Sequence, residues 1–328
     1  MISERDERGA DDRVGTEPTT SGDPDHAPGV SGGAEDGASG GAADGGDPDE
    51  QPRRSWVVVG GRNLPLAIGV GLVVAALFLV TLFWHPLAFT TLIVILTGLA
   101  YVESNRVLTP VGSPLAVPVL VIATLAMIGG AYQAGHGGQV IGVLVLVLGA
   151  IVWHLGDPDR RDVTRRLGTT VLFGLWVGFL ASFAALLVER SVAGAMGVLA
   201  VIGAAILTDV GGYAVGVPFG RHKIAPSVSP NKSWEGLFGG LAVATLAGAF
   251  VLPLLDDRFT WQLGIAIALA CGLAGFVGDL LESMVKRDLG VKDLGDLLPG
   301  HGGVLDRVDG VLVALPVGYF LLEIAFRS

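Results

Sequence analysis

Nine apolar runs alternate with short polar connections from residue 64 to the carboxyl end, at about 64–84, 86–102, 114–132, 138–155, 166–188, 194–217, 236–254, 261–281 and 310–326. Runs of about 17–25 apolar residues are what a helix needs to cross the hydrocarbon core of a bilayer. The pattern therefore predicts an all-α polytopic integral membrane protein of about nine transmembrane helices. The first two runs are separated only by His85-Pro86, a pair expected to act as a turn because proline cannot continue a helix from its amino side. No internal repeat stands out, which argues against an inverted-repeat transporter.

Composition sharpens this picture at the amino end. The chain is 51% hydrophobic with mean hydropathy +0.62, yet its formal charge is −10. Residues 1 to 54 hold 14 Asp/Glu against 5 Arg, a net of −9, which leaves the remainder at −1. That stretch is rich in Gly, Ala, Asp, Ser and Pro and too poor in large apolar residues to offset its ordering entropy. Residues 1–55 are thus expected to be a disordered acidic tail, and 56–328 a transmembrane domain carrying the chemistry. The amino end lacks the apolar core of a signal peptide. The single cysteine, Cys271, lies in an apolar run and excludes a disulfide framework.

Charge also predicts sidedness. With the amino terminus inside, the inner segments hold fifteen Lys/Arg, including Arg160, Arg161, Arg165, Arg166, Arg221, Lys223 and Lys232, and the outer ones only Arg190, Arg258 and Arg327. Positive residues favour the cytoplasmic side, so the polar loops 218–235 and 282–309 are expected there, in a multi-pass protein of the cell membrane.

Those loops carry the candidate chemistry. Asp279, Glu282, Ser283, Lys286 and Arg287 share one face if the eighth helix runs on to about Asp288. A carboxylate such as Asp279 inside a span is expensive and generally marks function. The next residues, Lys292, Asp293, His301, Gly302 and Gly303, lead into Asp306-Arg307-Val308-Asp309 at the start of the last helix. Cations suit phosphate, carboxylates suit a divalent metal, and glycines allow close backbone approach. A third cluster joins the intramembrane Asp209 to Ser229, Asn231, Lys232 and Ser233, the last three able to donate to phosphate or a base edge. Trp234 is expected at the membrane interface, and Glu103 to pair with Arg106 one turn away.

The pattern S-x-x-K-R-x4-K-D through P-G-H-G-G-x-x-D-R-x-D, met from Ser283 to Asp309, resembles the signature of the phosphatidate cytidylyltransferase (CDP-diacylglycerol synthase) family. Ser229 to Gly236 is similar to a second motif of that family, with Ser233 where threonine is more usual. The resemblance covers roughly 64 to 328. It implies Mg²⁺-dependent transfer from CTP to phosphatidate in the membrane, giving CDP-diacylglycerol and pyrophosphate for phospholipid synthesis. It also implies a homodimer, metal ligation by Asp279 and Asp306, and leaves a second cation open. Asp279, Lys286, Arg287, Asp306 and Arg307 are the expected catalytic residues. Asp209, Ser229, Asn231, Lys232, Ser233, Ser283, Lys292, Asp293, His301, Gly302, Gly303 and Asp309 are the expected substrate-binding ones. Nucleic acid is not an expected partner. Two alternatives stay open: a cytidylyltransferase for an isoprenoid ether lipid phosphate, and a cation-coupled transporter using Asp209 and Asp279.

Overall fold

A computed structural model describes residues 64–291, 293–295, 297 and 302–327 of the chain, with side chains from residue 69 onward. They belong to one compact unit, Arg54–Ser328. The acidic tail expected over 1–55 lies outside the described residues.

The helices in chain order are α1 (Leu64–Trp84), α2 (Pro86–Leu108), α3 (Val117–Ala134), α4 (His136–Gly156), α5 (Val163–Arg190), α6 (Gly194–Phe219), α7 (Trp234–Leu255), α8 (Trp261–Asp288) and α9 (Leu305–Arg327). The last eight are long and apolar enough to cross a membrane, and α1 is apolar over Gly69–Trp84. His85 does separate the first two: it caps α2 by accepting the Leu87 N–H on Nδ1 at 3.1 Å, with Pro86 at the first helical position. Polar ends extend beyond the apolar runs, so that α2 continues to Leu108 and α8 to Asp288. Hydropathy marks where the hydrocarbon ends, whereas the helical hydrogen-bond ladder continues into the polar layer.

One departure from the expected pattern lies in loop 218–235. It contains an antiparallel hairpin of β1 (Lys223–Ala225) and β2 (Ser229–Ser233), with Lys223 opposite Ser233 and Ala225 opposite Ser229. The hairpin base is tied to the amino end of α7 by Glu235, which accepts backbone N–H groups of Arg221 and His222 and pairs with the His222 ring.

Small residues set how closely α6 to α9 pack. A methyl group on Gly278 of α8 would lie 2.7 Å from the Asp309 carbonyl oxygen and 2.9 Å from Gly310 Cα of α9. A methyl on Gly310 would meet the Gly275 carbonyl oxygen at 2.8 Å. The two backbones therefore nearly touch, as small residues permit in apolar bundles. This contact brings the polar ends of α8 and α9 together. At other loops, arginines satisfy backbone carbonyls instead: Arg190 donates to the Tyr132 and Gln133 carbonyls in the last turn of α3, and Arg258 to that of Val192.

Candidate active site

A cavity of about 500 Å³ opens where α6, the hairpin, α8 and α9 meet. Its walls hold five carboxylates (Asp209, Asp279, Glu282, Asp306 and Asp309) against three cations, Lys232, Lys286 and Arg307. The formal balance is two negative charges.

Helix α8 supplies the centre of the site because Asp279, Glu282 and Lys286 recur at three- and four-residue spacing on one face. Lys286 Nζ donates to Glu282 Oε2 at 2.8 Å and to Asp306 Oδ1 at 2.9 Å, tying α8 to α9. Both acceptors are buried, with side chains 2% and 5% exposed. Asp306 accepts more than the lysine. Its carboxylate also takes the N–H of Leu294 at 3.1 Å and that of Gly303 at 3.0 Å. The residue thus fixes the polar segment between the last two helices. Across the cavity Lys232 pairs with Asp279 and lies 4.4 Å from the centre of the Phe276 ring. Ser283 Oγ is 3.5 Å from Asp279 Oδ1.

Among the described residues, one group of carboxylates converges. Asp279, Glu282 and Asp309 each offer an oxygen, all within 4.8 Å of one another. Glu282 Oε1 is buried without a hydrogen-bond partner. Uncompensated carboxylate oxygens at this depth are costly, and clustered ones favour a cation between them.

The structure brings most of the expected site residues together. Asp209, Ser229, Asn231, Lys232, Ser233, Asp279, Lys286, Asp306, Arg307 and Asp309 line the one cavity. Ser233 is also the cap of α7, its Oγ accepting the Gly236 N–H at 3.2 Å. Gly302 takes a positive φ of 82° beside Asp293 and Asp306. Arg287 is placed differently. It is exposed at the end of α8, and its Nε donates to the Val228 carbonyl at 3.1 Å, holding the hairpin turn. Lys292 and His301 lie outside the described residues. Trp234 is exposed and stacks on Phe238 at the surface.

Two acidic residues gain positions that the sequence did not assign. Glu282, on the α8 stripe, becomes the buried partner of Lys286. Glu103 does not follow the expected pairing with exposed Arg106. It is 3% exposed, and its two oxygens accept the N–H groups of Leu297 and Val304 at 2.6 and 2.7 Å. A carboxylate four turns into an apolar helix was the available signal. Nothing local revealed a partner about 200 residues away.

The sequence is similar to those of known proteins. The model of the Cytidylyltransferase family matches residues 66–325. A phosphatidate cytidylyltransferase of Mycobacterium leprae is 38% identical over 285 residues, covering 80% of this chain and 89% of that protein. One from Mycobacterium tuberculosis strain H37Rv is 34% identical over 298 residues, covering 85% and 90%. One from Pseudomonas aeruginosa is 41% identical over 181 residues, covering 55% and 64%.

Proposed function

The chain belongs to the cytidylyltransferase family, and we propose that it transfers a cytidylyl group from CTP to phosphatidate, giving CDP-diacylglycerol and pyrophosphate for phospholipid synthesis. The observation that carries this reading is that residues of both sequence motifs meet in this cavity, Ser229, Asn231, Lys232 and Ser233 from the hairpin, Lys286 from α8 and Asp306, Arg307 and Asp309 from α9. It lies at polar helix ends, where a water-soluble nucleotide can meet a lipid headgroup whose acyl chains stay among apolar spans.

The reaction forms a bond from a phosphatidate phosphate oxygen to the α-phosphorus of CTP and breaks the bond from that phosphorus to the pyrophosphate oxygen. A phosphomonoester with a second pKa of about 6 is already anionic near neutrality, so the chain need supply no general base. Its task is to gather negative charge and align it. Lys232 from the hairpin and Arg307 from α9 both line the cavity and would bind phosphate oxygens, the guanidinium with forked geometry. Lys286, held by Glu282 and Asp306, is preorganised to place its charge without moving. The hydroxyls of Ser229 and Ser233 and the Asn231 amide offer neutral hydrogen bonds on the hairpin side.

The donor set fits a divalent metal such as Mg²⁺, with hard carboxylate oxygens that outnumber the cations of the cavity five to three. Asp279, Glu282 and Asp309, whose oxygens converge, would hold it; Asp306, the other ligand implied by the resemblance, shares the cavity but is taken up by Lys286 and two backbone N–H groups. Bound there, the ion would neutralise phosphate charge and stabilise the departing pyrophosphate. Charge asymmetry of the loops supports a cytoplasmic site and amino terminus in the cell membrane. The homodimer belongs to this proposal on resemblance alone and is checked by the mass of the detergent-solubilised protein.

Purified protein given labelled CTP, Mg²⁺ and a panel of lipid phosphates should form CDP-diacylglycerol from phosphatidate. Product from an isoprenoid ether lipid phosphate alone, or from no lipid phosphate at all, would overturn the reading.

A further inference from the structure

Glu103 sits in the first half of the bundle, on α2, far in sequence from every residue of the cavity, yet it grips the polar segment that leads into Asp306. Its Oε1 accepts the Leu297 N–H at 2.6 Å and its Oε2 the Val304 N–H at 2.7 Å. From the cavity side, Asp306 accepts the N–H groups of Leu294 and Gly303. Four backbone donors of residues 294–304 are thus divided between two carboxylates, one on α2 and one on α9. Gly295 fits the same clamp, since any side chain there would run into the Glu103 carboxylate.

A buried carboxylate within an apolar helix costs folding free energy unless donors meet it. Here the donors belong to the segment leading into Asp306, so the segment and the carboxylate satisfy each other. Asp306 in turn orients Lys286. We infer that Glu103 is a positioning residue for the transfer reaction: it holds Leu297 and Val304 so that Asp306 and Lys286 keep their places in the cavity. This inference rests on the cytidylyltransferase reading given above.

The tests are Glu103→Gln and Gly295→Ala in the full-length, detergent-solubilised protein. Glutamine keeps the shape but turns an N–H toward one of the two donors; the added methyl pushes on the clamp from the opposite side. Displacement of a catalytic group by about 1 Å can cost on the order of 100-fold. Each variant should therefore lower kcat for CTP turnover about 10–100-fold, and the double variant should lose little more than either single one. Amide exchange of the peptide spanning 293–305 should accelerate in both, while peptides of α3 and α4 exchange as in the parent. Arg106→Ala, on the exposed face of α2, should leave turnover unchanged. Parental rates in both variants, or losses that multiply in the double variant, would overturn the inference. Exchange is read without substrate, so the clamp is tested even if the parent protein proves to act on a different lipid phosphate. If E103Q does not insert, G295A and its exchange pattern decide the matter alone.

Discussion

Two cavities lie along α6, α7 and α8, and they differ in nearly everything except how their walls approach. One, of about 500 Å³, holds five carboxylates and three cations. The other, of about 230 Å³, is lined by Leu199, Ala204, Leu207, Ala244, Leu252 and Ile267 among others, with no charged or polar side chain. Both depend on small residues. Gly248 and Gly264 bring α7 and α8 together beside the apolar cavity, as Gly278 and Gly310 bring α8 and α9 together beside the polar one. Close helix approach is thus common to both, and makes neither a site. What distinguishes the polar cavity is the set of ionisable side chains on its walls, the intramembrane Asp209 and Asp279 among them, whose charge is costly unless cations or a ligand meet it.

The largest effect should come from removing the charge that α8 and α9 present to the cavity. Asp279→Asn or Asp306→Asn should lower Mg²⁺-dependent CTP turnover by at least about 10³-fold, since a metal in such a site supplies several kcal/mol and each 1.36 kcal/mol is tenfold. Insertion and elution in detergent should be unchanged. Turnover within about tenfold of the parent in both variants would dismiss the assignment of the ion to these carboxylates.

A smaller but broader effect is expected for Lys286→Met. It leaves Glu282 and Asp306, both almost wholly buried, without their shared cation. Removing one partner of a buried ion pair costs about 3–5 kcal/mol. This variant should therefore melt at clearly lower temperature in detergent as well as lose turnover, whereas Asp279→Asn should lose turnover alone. Identical melting of K286M and parent would show that the lysine has no structural share.

The helices and the cavity's two sequence motifs were legible in the chain because each depends on local order. Apolar runs mark spans, and spacing along α8 puts Asp279, Glu282 and Lys286 on one face whatever surrounds them. What spacing cannot supply is the partner across space. Arg287 belonged to the same stripe by periodicity, yet its position just past the cavity lets it reach the Val228 carbonyl of the hairpin. Glu103 had a plausible partner one turn away in Arg106, and local proximity was misleading. The competing donors, Leu297 and Val304, are backbone groups whose availability no residue type announces.

The comparison between cavities ends with the variant expected to do least. Ala247 lines the apolar cavity from α7 and is half-buried, so Ala247→Leu adds bulk to that space without touching a charged group. If the two cavities are separate compartments of one helix cluster, the added side chain should bury apolar surface at little strain. CTP turnover should then change less than about twofold, because no group that meets phosphate has moved, and stability should shift by no more than the 1–3 kcal/mol that overpacking typically costs. Both follow from steady-state rates and melting in the same detergent. A loss of tenfold or more with unchanged melting would join the cavities functionally. It would mean that the apolar space receives part of the lipid during turnover, and that the boundary drawn between a reactive and an inert end of these helices lies in the wrong place.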